Sequence, residues 1–579
     1  MESDKGVFRK SGLIIILITI VFALMSAVFQ ITLPHVQPAD SSASEFSAER
    51  AYKHLEIIAK DTHYTGTSMN EDVREYIIKS LGDFGLEASV QEKIFFEVNR
   101  WGTLNVNNII CRIKGTNGEG SSVMLVAHYD TMITGPGAMD DGSGVVTLLE
   151  TARAITAGQP LKNDILLLFT DGEEPGLLGA QAFVEDNKAL LGKIAVIANF
   201  DAGGTTGPAA LTETSSGNEH ITGYLFKETS ESAAFSSLVE LSKFFPSGTD
   251  MRVLEKTGVS YLNFLVSMHK ERIHTEKDNI RDFSIGTLQQ QGNYALAFCR
   301  VFGNMNDLGT AIKAKSDNIF FPIFKGVQVI YGERWIIPLA LFGILAYAAI
   351  LIIGFKAKKL TISGMCRGLA IFPSGVLISG VFTFIIVNLA RLLFKSRIDL
   401  DYMFEKFVRG SEYTNICYVG FAIFTFAIMS YLFFRALNKK SFTDLFSGVL
   451  LMWCIPVLLT CFFIKGLSYI FVWPFIFALA VQGCLICLKN IKSGIIQNLL
   501  MTASIIVPGV ILYFPVAYIS SSVGVDNAPL IMMFISLPSG IVAPYVIFRL
   551  QERGRLVYSL TGMAGIAFIL AGIIGFAIS

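Results

Sequence analysis

The chain has 579 residues, of which 52% are apolar and 16% charged, with a mean hydropathy of +0.53. Its 47 Lys and Arg balance 47 Asp and Glu, so it lacks the basic excess that phosphate binding needs, and nucleic acid is excluded as the main partner. The hydropathy excludes a disordered chain, 8 Cys in 579 residues exclude a disulfide scaffold, and the apolar share points to a membrane protein.

In chain order, the first feature is an apolar run from Gly12 to Pro34, preceded by Lys5, Arg9 and Lys10. About 20 such residues cross a bilayer. The run is long for a signal peptide and no small-x-small cleavage site follows it. It is predicted to be an uncleaved anchor, 12–34, behind a cytoplasmic N-terminus, 1–11.

Residues 36–330 are soluble and acidic in composition, and all seven His lie between His35 and His274. Val123–Ala127, Ile165–Thr170 and Ile194–Phe200 are short, nearly unbroken apolar runs. Runs of this length suit strands buried on both faces of a mostly parallel sheet. Helical patterns at Gly144–Ala157 and Leu177–Leu191 alternate with them, which predicts an α/β domain with helices flanking the sheet. Each strand runs into chemistry-bearing residues: His128-Tyr129-Asp130, Asp171-Gly172-Glu173-Glu174 and Asp201. Ligands of open α/β sheets bind at the carboxyl ends of strands, so three strands deliver His and carboxylates to one edge. Mixed His and carboxylate donors suit zinc and its neighbours. Two close cations require a shared carboxylate, for which Asp140 and Asp141 in the Gly-rich loop 137–144 are candidates.

From Trp335 onward the sequence is a series of apolar runs: 335–355, 368–393, 416–434, 446–464, 467–488, 495–519, 530–548 and 556–578. They predict an all-α membrane domain at 333–579 with eight transmembrane helices, nine with the anchor. The exits of alternate spans are basic: KAKK (356–359), RALNKK (435–440), KNIKS (489–493) and RLQERGR (549–555). The loop 520–529 has no Lys or Arg. By the positive-inside rule the soluble domain lies outside the cytoplasm. Lys465 and Arg391, near span ends, are read as snorkelling to the interface rather than lining a transport path.

HYD (128–130), GAMDDGSG (137–144), DGEEPGLLG (171–179), NFDAGG (199–204) and IHTEKD (273–278) resemble, in order, the motifs of the di-zinc exopeptidases. That family includes aminopeptidase Y, glutamate carboxypeptidase and, as a relative, glutaminyl cyclase. The anchor, outside domain and multispan half resemble its vacuolar membrane protease and endoplasmic reticulum metallopeptidase branch, and the segment His63–Gln91 agrees with it. The resemblance implies an α/β zinc-exopeptidase domain over 45–310 that holds two Zn2+. His128 and Asp201 would bind one, Glu174 and His274 the other, and Asp140 would bridge them with a cis peptide bond after it. Asp130 would orient His128, and Glu173 would be the general base. His269 and His220 lack the Thr-x-x-Asp that follows His274. Where the family carries a Tyr before this His, Ile273 stands here; Tyr261, Tyr129 or the metal alone are the candidates to stabilise the oxyanion.

The activity implied is metal-assisted peptide hydrolysis. The rivals are a catalytically weak receptor and a transporter-associated protein, and the complete ligand set with Glu173 favours the hydrolase. The motif segments around 128–141, 171–176 and 199–204 contain carboxylates and no Lys or Arg, an environment for a free N-terminus and hence an aminopeptidase. Arg252, Arg272 and Arg281 are the route to a carboxypeptidase or dipeptidase instead. The expected partners are peptide substrates and the lipid bilayer. No Asn-x-Ser/Thr acceptor occurs in the outside domain, which leans toward a bacterial plasma membrane; a vacuolar or endoplasmic reticulum membrane gives the same topology.

Overall fold

The computed structural model describes residue 25 and residues 30–98, 102–118, 120–231, 233–395, 412–487, 494–523, 525–550 and 553–578. The chain divides into two compact units, one of them Gln30–Glu333 and the other holding Arg334–Ser579.

The first unit is built on a seven-stranded sheet. Its strands are β1 (Ala88–Val98), β2 (Gly102–Ile113), β3 (Ser122–His128), β4 (Asp164–Thr170), β5 (Ile194–Ala202), β6 (Ala210–Thr214) and β7 (Ser260–Val266). They lie in the order β1-β2-β4-β3-β5-β7-β6. The sheet is mixed rather than mostly parallel. β3–β4, β3–β5 and β5–β7 pair parallel, while β1–β2, β2–β4 and β6–β7 pair antiparallel. The apolar runs predicted as strands are the buried centre. Every residue of β3 and β4 is buried, and each fully buried Leu or Val contributes roughly 1.5–3 kcal/mol. β2, between β1 and β4, carries polar residues such as Asn105 and Asn107, which an unbroken-run criterion passes over.

Helices cover both faces. α1 (Ala48–Ile58), α2 (Ser68–Asp83), α3 (Gly142–Thr156) and α4 (Ile285–Gly303) pack on the face lined by Val123, Leu125, Leu167 and Phe200. The helix Leu178–Asp186 and the turn Met251–Leu254 pack on the other, over Met124, Val126 and Leu168. The helix predicted over Leu177–Leu191 is broken at Asn187 into Leu178–Asp186 and Lys188–Leu191. α3 begins two residues before the predicted Gly144 because the Asp141 side chain accepts from Gly144 N and caps it. A hairpin, Asn318–Phe324 with Val327–Gly332, closes the unit.

Among the described residues, seven helices are long and apolar enough to cross a membrane: Glu333–Lys356, Ile362–Leu392, Tyr413–Leu437, Phe442–Phe463, Lys465–Cys487, Val525–Phe548 and Gly554–Gly575. Nine were expected. The run at 495–519 falls in the helix Gly494–Val523, 30 residues long, part of which has its side chains outside the described residues. Most of the anchor at 12–34 lies outside the described residues. All eight Cys are free thiols. Arg391 forms a 2.8 Å ion pair with Asp526, so a counter-charge accompanies the position read as snorkelling.

Candidate metal centre

β3, β4 and β5 are parallel, so their carboxyl ends share an edge, and the site is assembled there. His128 is the last residue of β3, and Asp201 lies one residue from the end of β5. Glu173 and Glu174 lie in the turn after β4. Asp140 sits where the loop after β3 enters α3, and its peptide bond to Asp141 is cis. His274 arrives from the loop after β7 in a left-handed conformation, φ 57°.

Among the described residues, two groups of potential metal-ligand atoms lie within 4.8 Å of one another: His128, Asp141 and Asp201, and Asp140, Glu174 and His274. Asp140 joins them. Its Oδ1 is 3.1 Å from His128 Nε2 and its Oδ2 is 3.0 Å from His274 Nε2. Asp201 Oδ1 is 3.7 Å from His128 Nε2, and Glu174 Oε2 is 3.3 Å from His274 Nε2. Asp141 is committed elsewhere: its Oδ2 accepts from His128 N at 3.2 Å and its Oδ1 from Gly144 N at 3.0 Å. Of the two acids that were candidates to bridge, Asp140 is the one whose oxygens face both rings.

Asp130 does more than touch His128. The His128 Nδ1 lies 3.0 Å from the Asp130 backbone O and 3.5 Å from its carboxylate. The same carboxylate accepts from Glu173 N at 3.0 Å and from Glu174 N at 3.2 Å, so it holds the turn that carries both glutamates.

The electrostatics ask for positive charge. Burial opposes a charged His128, but the carboxylates of Glu173, Asp130, Asp140 and Asp201 outweigh it and hold its pKa well above the ordinary value. Hydrogen bonds to Asp140 and Glu174 push His274 up to about 10. Burial raises Glu173 well above its usual range, and Glu174 to about 7, with the Asp140 charge adding to the latter. Burial also works to raise Asp140, but its bonds to His128 and His274 keep it low. Glu174 Oε1 is buried without a hydrogen-bond partner, an atom that a cation would satisfy. Two imidazoles and three carboxylates that face one another, with one orphaned oxygen, fit a pair of zinc-type cations.

The structure settles several alternatives. Tyr129 donates its hydroxyl to Asn107 O at 2.6 Å, and Tyr261, at the amino end of β7, donates to Glu255 Oε2 at 3.2 Å. Neither tyrosine hydroxyl is directed to the cluster, so neither replaces the family Tyr at Ile273. His220 contacts Ala311 O and His269 contacts Glu271, and both lie outside the two groups. Arg252 faces Glu255 and Arg272 faces Glu271, and Arg281 is exposed.

Two acids of the site escape a motif reading. Asp278 accepts from Met139 N at 2.7 Å and Asp140 N at 3.1 Å. It ends the IHTEKD segment, and that is the only signal it gives. Asp250 accepts from Thr170 Oγ1 at the end of β4, its other oxygen is buried without a partner, and burial raises it to about 7. Nothing in its surrounding loop marks it.

Residues 108–299 match peptidase family M28. The M28 match contains all the motifs named above, and outside it a vacuolar membrane protease likeness extends further. The chain is 29% identical over 311 residues to the vacuolar membrane protease of Schizosaccharomyces japonicus, which is 50% of this chain and 34% of that protein. It is 28% identical over 328 residues to that of Schizosaccharomyces pombe, covering 53% and 37%. The chain thus spans about a third of the length of these curated relatives. Among solved structures, a zinc aminopeptidase from Bacillus subtilis matches at 17% identity with a TM-score of 0.37, over 47% of this chain and 99% of that one. With the M28 match, its membrane-protein relatives and seven apolar helices, the chain reads as an integral membrane protein.

Proposed function

We propose that the chain is a membrane-anchored, zinc-dependent exopeptidase of the M28 type that removes N-terminal residues from peptides outside the cytoplasm. The observation that carries this reading is the Asp140 carboxylate, whose two oxygens face His128 and His274. His128 and Asp201 would hold one zinc, Glu174 and His274 the other, and Asp140 both. Bound there, zinc supplies Lewis-acid polarisation of the peptide carbonyl and lowers the pKa of water. Glu173 is the general base: its carboxylate takes a proton from the attacking water and returns it to the leaving amine. Burial makes it a group that holds that proton readily. Asp130 keeps the His128 ring and the glutamate turn in fixed relation.

The preference for a free N-terminus follows from charge. Arg252 and Arg272 face Glu255 and Glu271, which lie outside the two groups of candidate ligands, and an ammonium group is the terminal charge that the buried acids of the site attract. The orientation rests on the basic exits: a 1–11 cytoplasmic tail, an anchor at 12–34, a peptidase domain at 45–310 outside, and a membrane domain at 333–579. Reporters inserted near Gly118 and fused after Ser579 are expected on the same side.

One tripeptide tests the specificity when offered free, N-acetylated and C-amidated. Acetylation should abolish cleavage while amidation should not, and the reverse pattern would make the enzyme a carboxypeptidase. Glu173→Gln should keep its metal by elemental analysis and lose nearly all turnover. Near-normal turnover in that variant would remove Glu173 from the mechanism.

A further inference from the structure

The glutamate turn is held from a segment that lies outside the M28 match. Asp130 Oδ2, which accepts from Glu174 N, also accepts from Thr65 Oγ1 at 3.3 Å. Asp171, the residue that opens the turn, accepts from Asn70 Nδ2 at 3.2 Å and from Asn107 N at 2.9 Å. Asn70 Nδ2 also reaches His63 O, and His63 N donates to Thr131 Oγ1 at 2.9 Å. Asp130 and Asp171 are both fully buried, and Thr65 and Asn70 are nearly so. Two like charges close together in a dry interior repel each other and survive only if donors converge on them. His128 Nδ1 faces the Asp130 carboxylate at 3.5 Å, and the other donors that reach the two acids are neutral groups. Thr65 and Asn70 supply one each, from 65 and 101 positions away in the chain.

We propose that Thr65 and Asn70 are positioning residues for the Glu173–Glu174 turn, acting through Asp130 and Asp171. Asp130 ties this turn to the His128 ring, so a shift of Asp130 changes the geometry of both halves of the metal centre. Gly172, between the two fixed points, leaves the turn little room: an added Cβ would lie 3.1 Å from Val106 Cγ2 and 3.6 Å from Thr65 Oγ1. The inference rests on the metal-site reading above, and its test separates the two.

The full chain in detergent is stripped by chelation and titrated with Co(II) alone, read by its d–d absorption. Thr65→Val keeps the side-chain shape and removes the donor, Thr65→Ser keeps the donor, and Asn70→Ala removes the other. Thr65→Val and Asn70→Ala are expected to weaken Co(II) binding by about 10–100-fold and to alter the band shape. Thr65→Ser should match the wild type. On peptide substrate the first two should lower kcat with KM little changed, while Thr65→Ser keeps the wild-type values of both. Wild-type Co(II) binding in Thr65→Val and Asn70→Ala overturns the inference and leaves the metal site standing. Equal weakening in Thr65→Val and Thr65→Ser overturns it as well, since keeping the hydroxyl would then not keep the metal site. A wild-type chain that takes up no Co(II) overturns the metal-site reading and this inference with it.

Discussion

At Asp278 both carboxylate oxygens are used on backbone: one accepts from Met139 N, the other from Asp140 N. An amide of the same shape has one acceptor and one donor, so Asp278→Asn would set an NH2 against one of these N–H groups. The Asp140 backbone would then move, and with it the oxygens that face His128 and His274. The expected result is a loss of about 10–100-fold in metal affinity with the secondary structure intact, measured by Co(II) titration beside far-UV circular dichroism. Gly172 gives a second test at this scale. Its φ is +72°, where an L side chain costs roughly 1–2 kcal/mol, and Val106 stands against any added methyl. Gly172→Ala should lower the unfolding temperature and cut turnover, because the strain is relieved by moving the turn that carries Glu173. His128, Glu173, Glu174 and Asp201 could be picked out from the sequence because each sits at or just after the end of a buried strand, and Asp140 because it lies in the Gly-rich loop 137–144. Thr65, Asn70 and Asp250 were not, because a side-chain bond across tens of residues leaves no spacing pattern behind it.

The same division holds for elements. β3, β4 and β5 are readable as unbroken apolar runs because they are covered on both faces. β1 alternates, β2 and β7 carry buried Asn, and β6 is a short, polar ALTET; the antiparallel pairings β1–β2, β2–β4 and β6–β7 turn a parallel centre into a mixed sheet. Asn199 Nδ2 and Asn263 Oδ1 bond at 3.0 Å between β5 and β7, a buried polar pairing that no single run announces. In the membrane unit, apolar length locates the helices, but composition alone does not say which of them touch. The helices Glu412–Leu437 and Gly554–Ile578 meet through small residues. A Cβ on Gly565 would lie 2.8 Å from Phe424 N and 3.0 Å from Gly420 O, and one on Gly420 would lie 2.7 Å from Ile569 N. Backbones this close leave no space for a side chain, and close approach is what drives helix association in lipid. Gly565→Leu should therefore separate the pair and lower the thermal stability of the chain in detergent by about 1–3 kcal/mol. Leu560→Ala, on an exposed position of the same helix, should change it little.

Across the whole of the first unit the buried acids act together on stability. Without metal, burial raises Glu173 well above its usual range and brings Glu174, Asp171, Asp250 and Asp278 to about 7. An unfolded chain gives up these protons near the ordinary values of 3.8 and 4.5, so between there and about 7 the folded chain binds more protons. Stability then falls as pH rises through that window. His274, raised to about 10, works in the same direction: its contribution is complete below the unfolded value of 6.5 and is lost as pH rises through about 10. Asp140, held low by the two histidines, acts oppositely, but its contribution is lost only below 3.8, outside the window. The metal-free chain should accordingly unfold at a higher temperature near about pH 5.5 than near about pH 8.5. Zinc reverses the slope, because its ligands must be deprotonated to bind it and its affinity rises with pH. Calorimetry at both pH values, with chelator and with zinc, should show a stabilisation by zinc that is small at the acid value and large at the alkaline one. A metal-free chain that gains stability on going to the alkaline value would mean that these carboxylates are not held protonated in the fold, and that the site does not store the charge deficit the metal is proposed to fill.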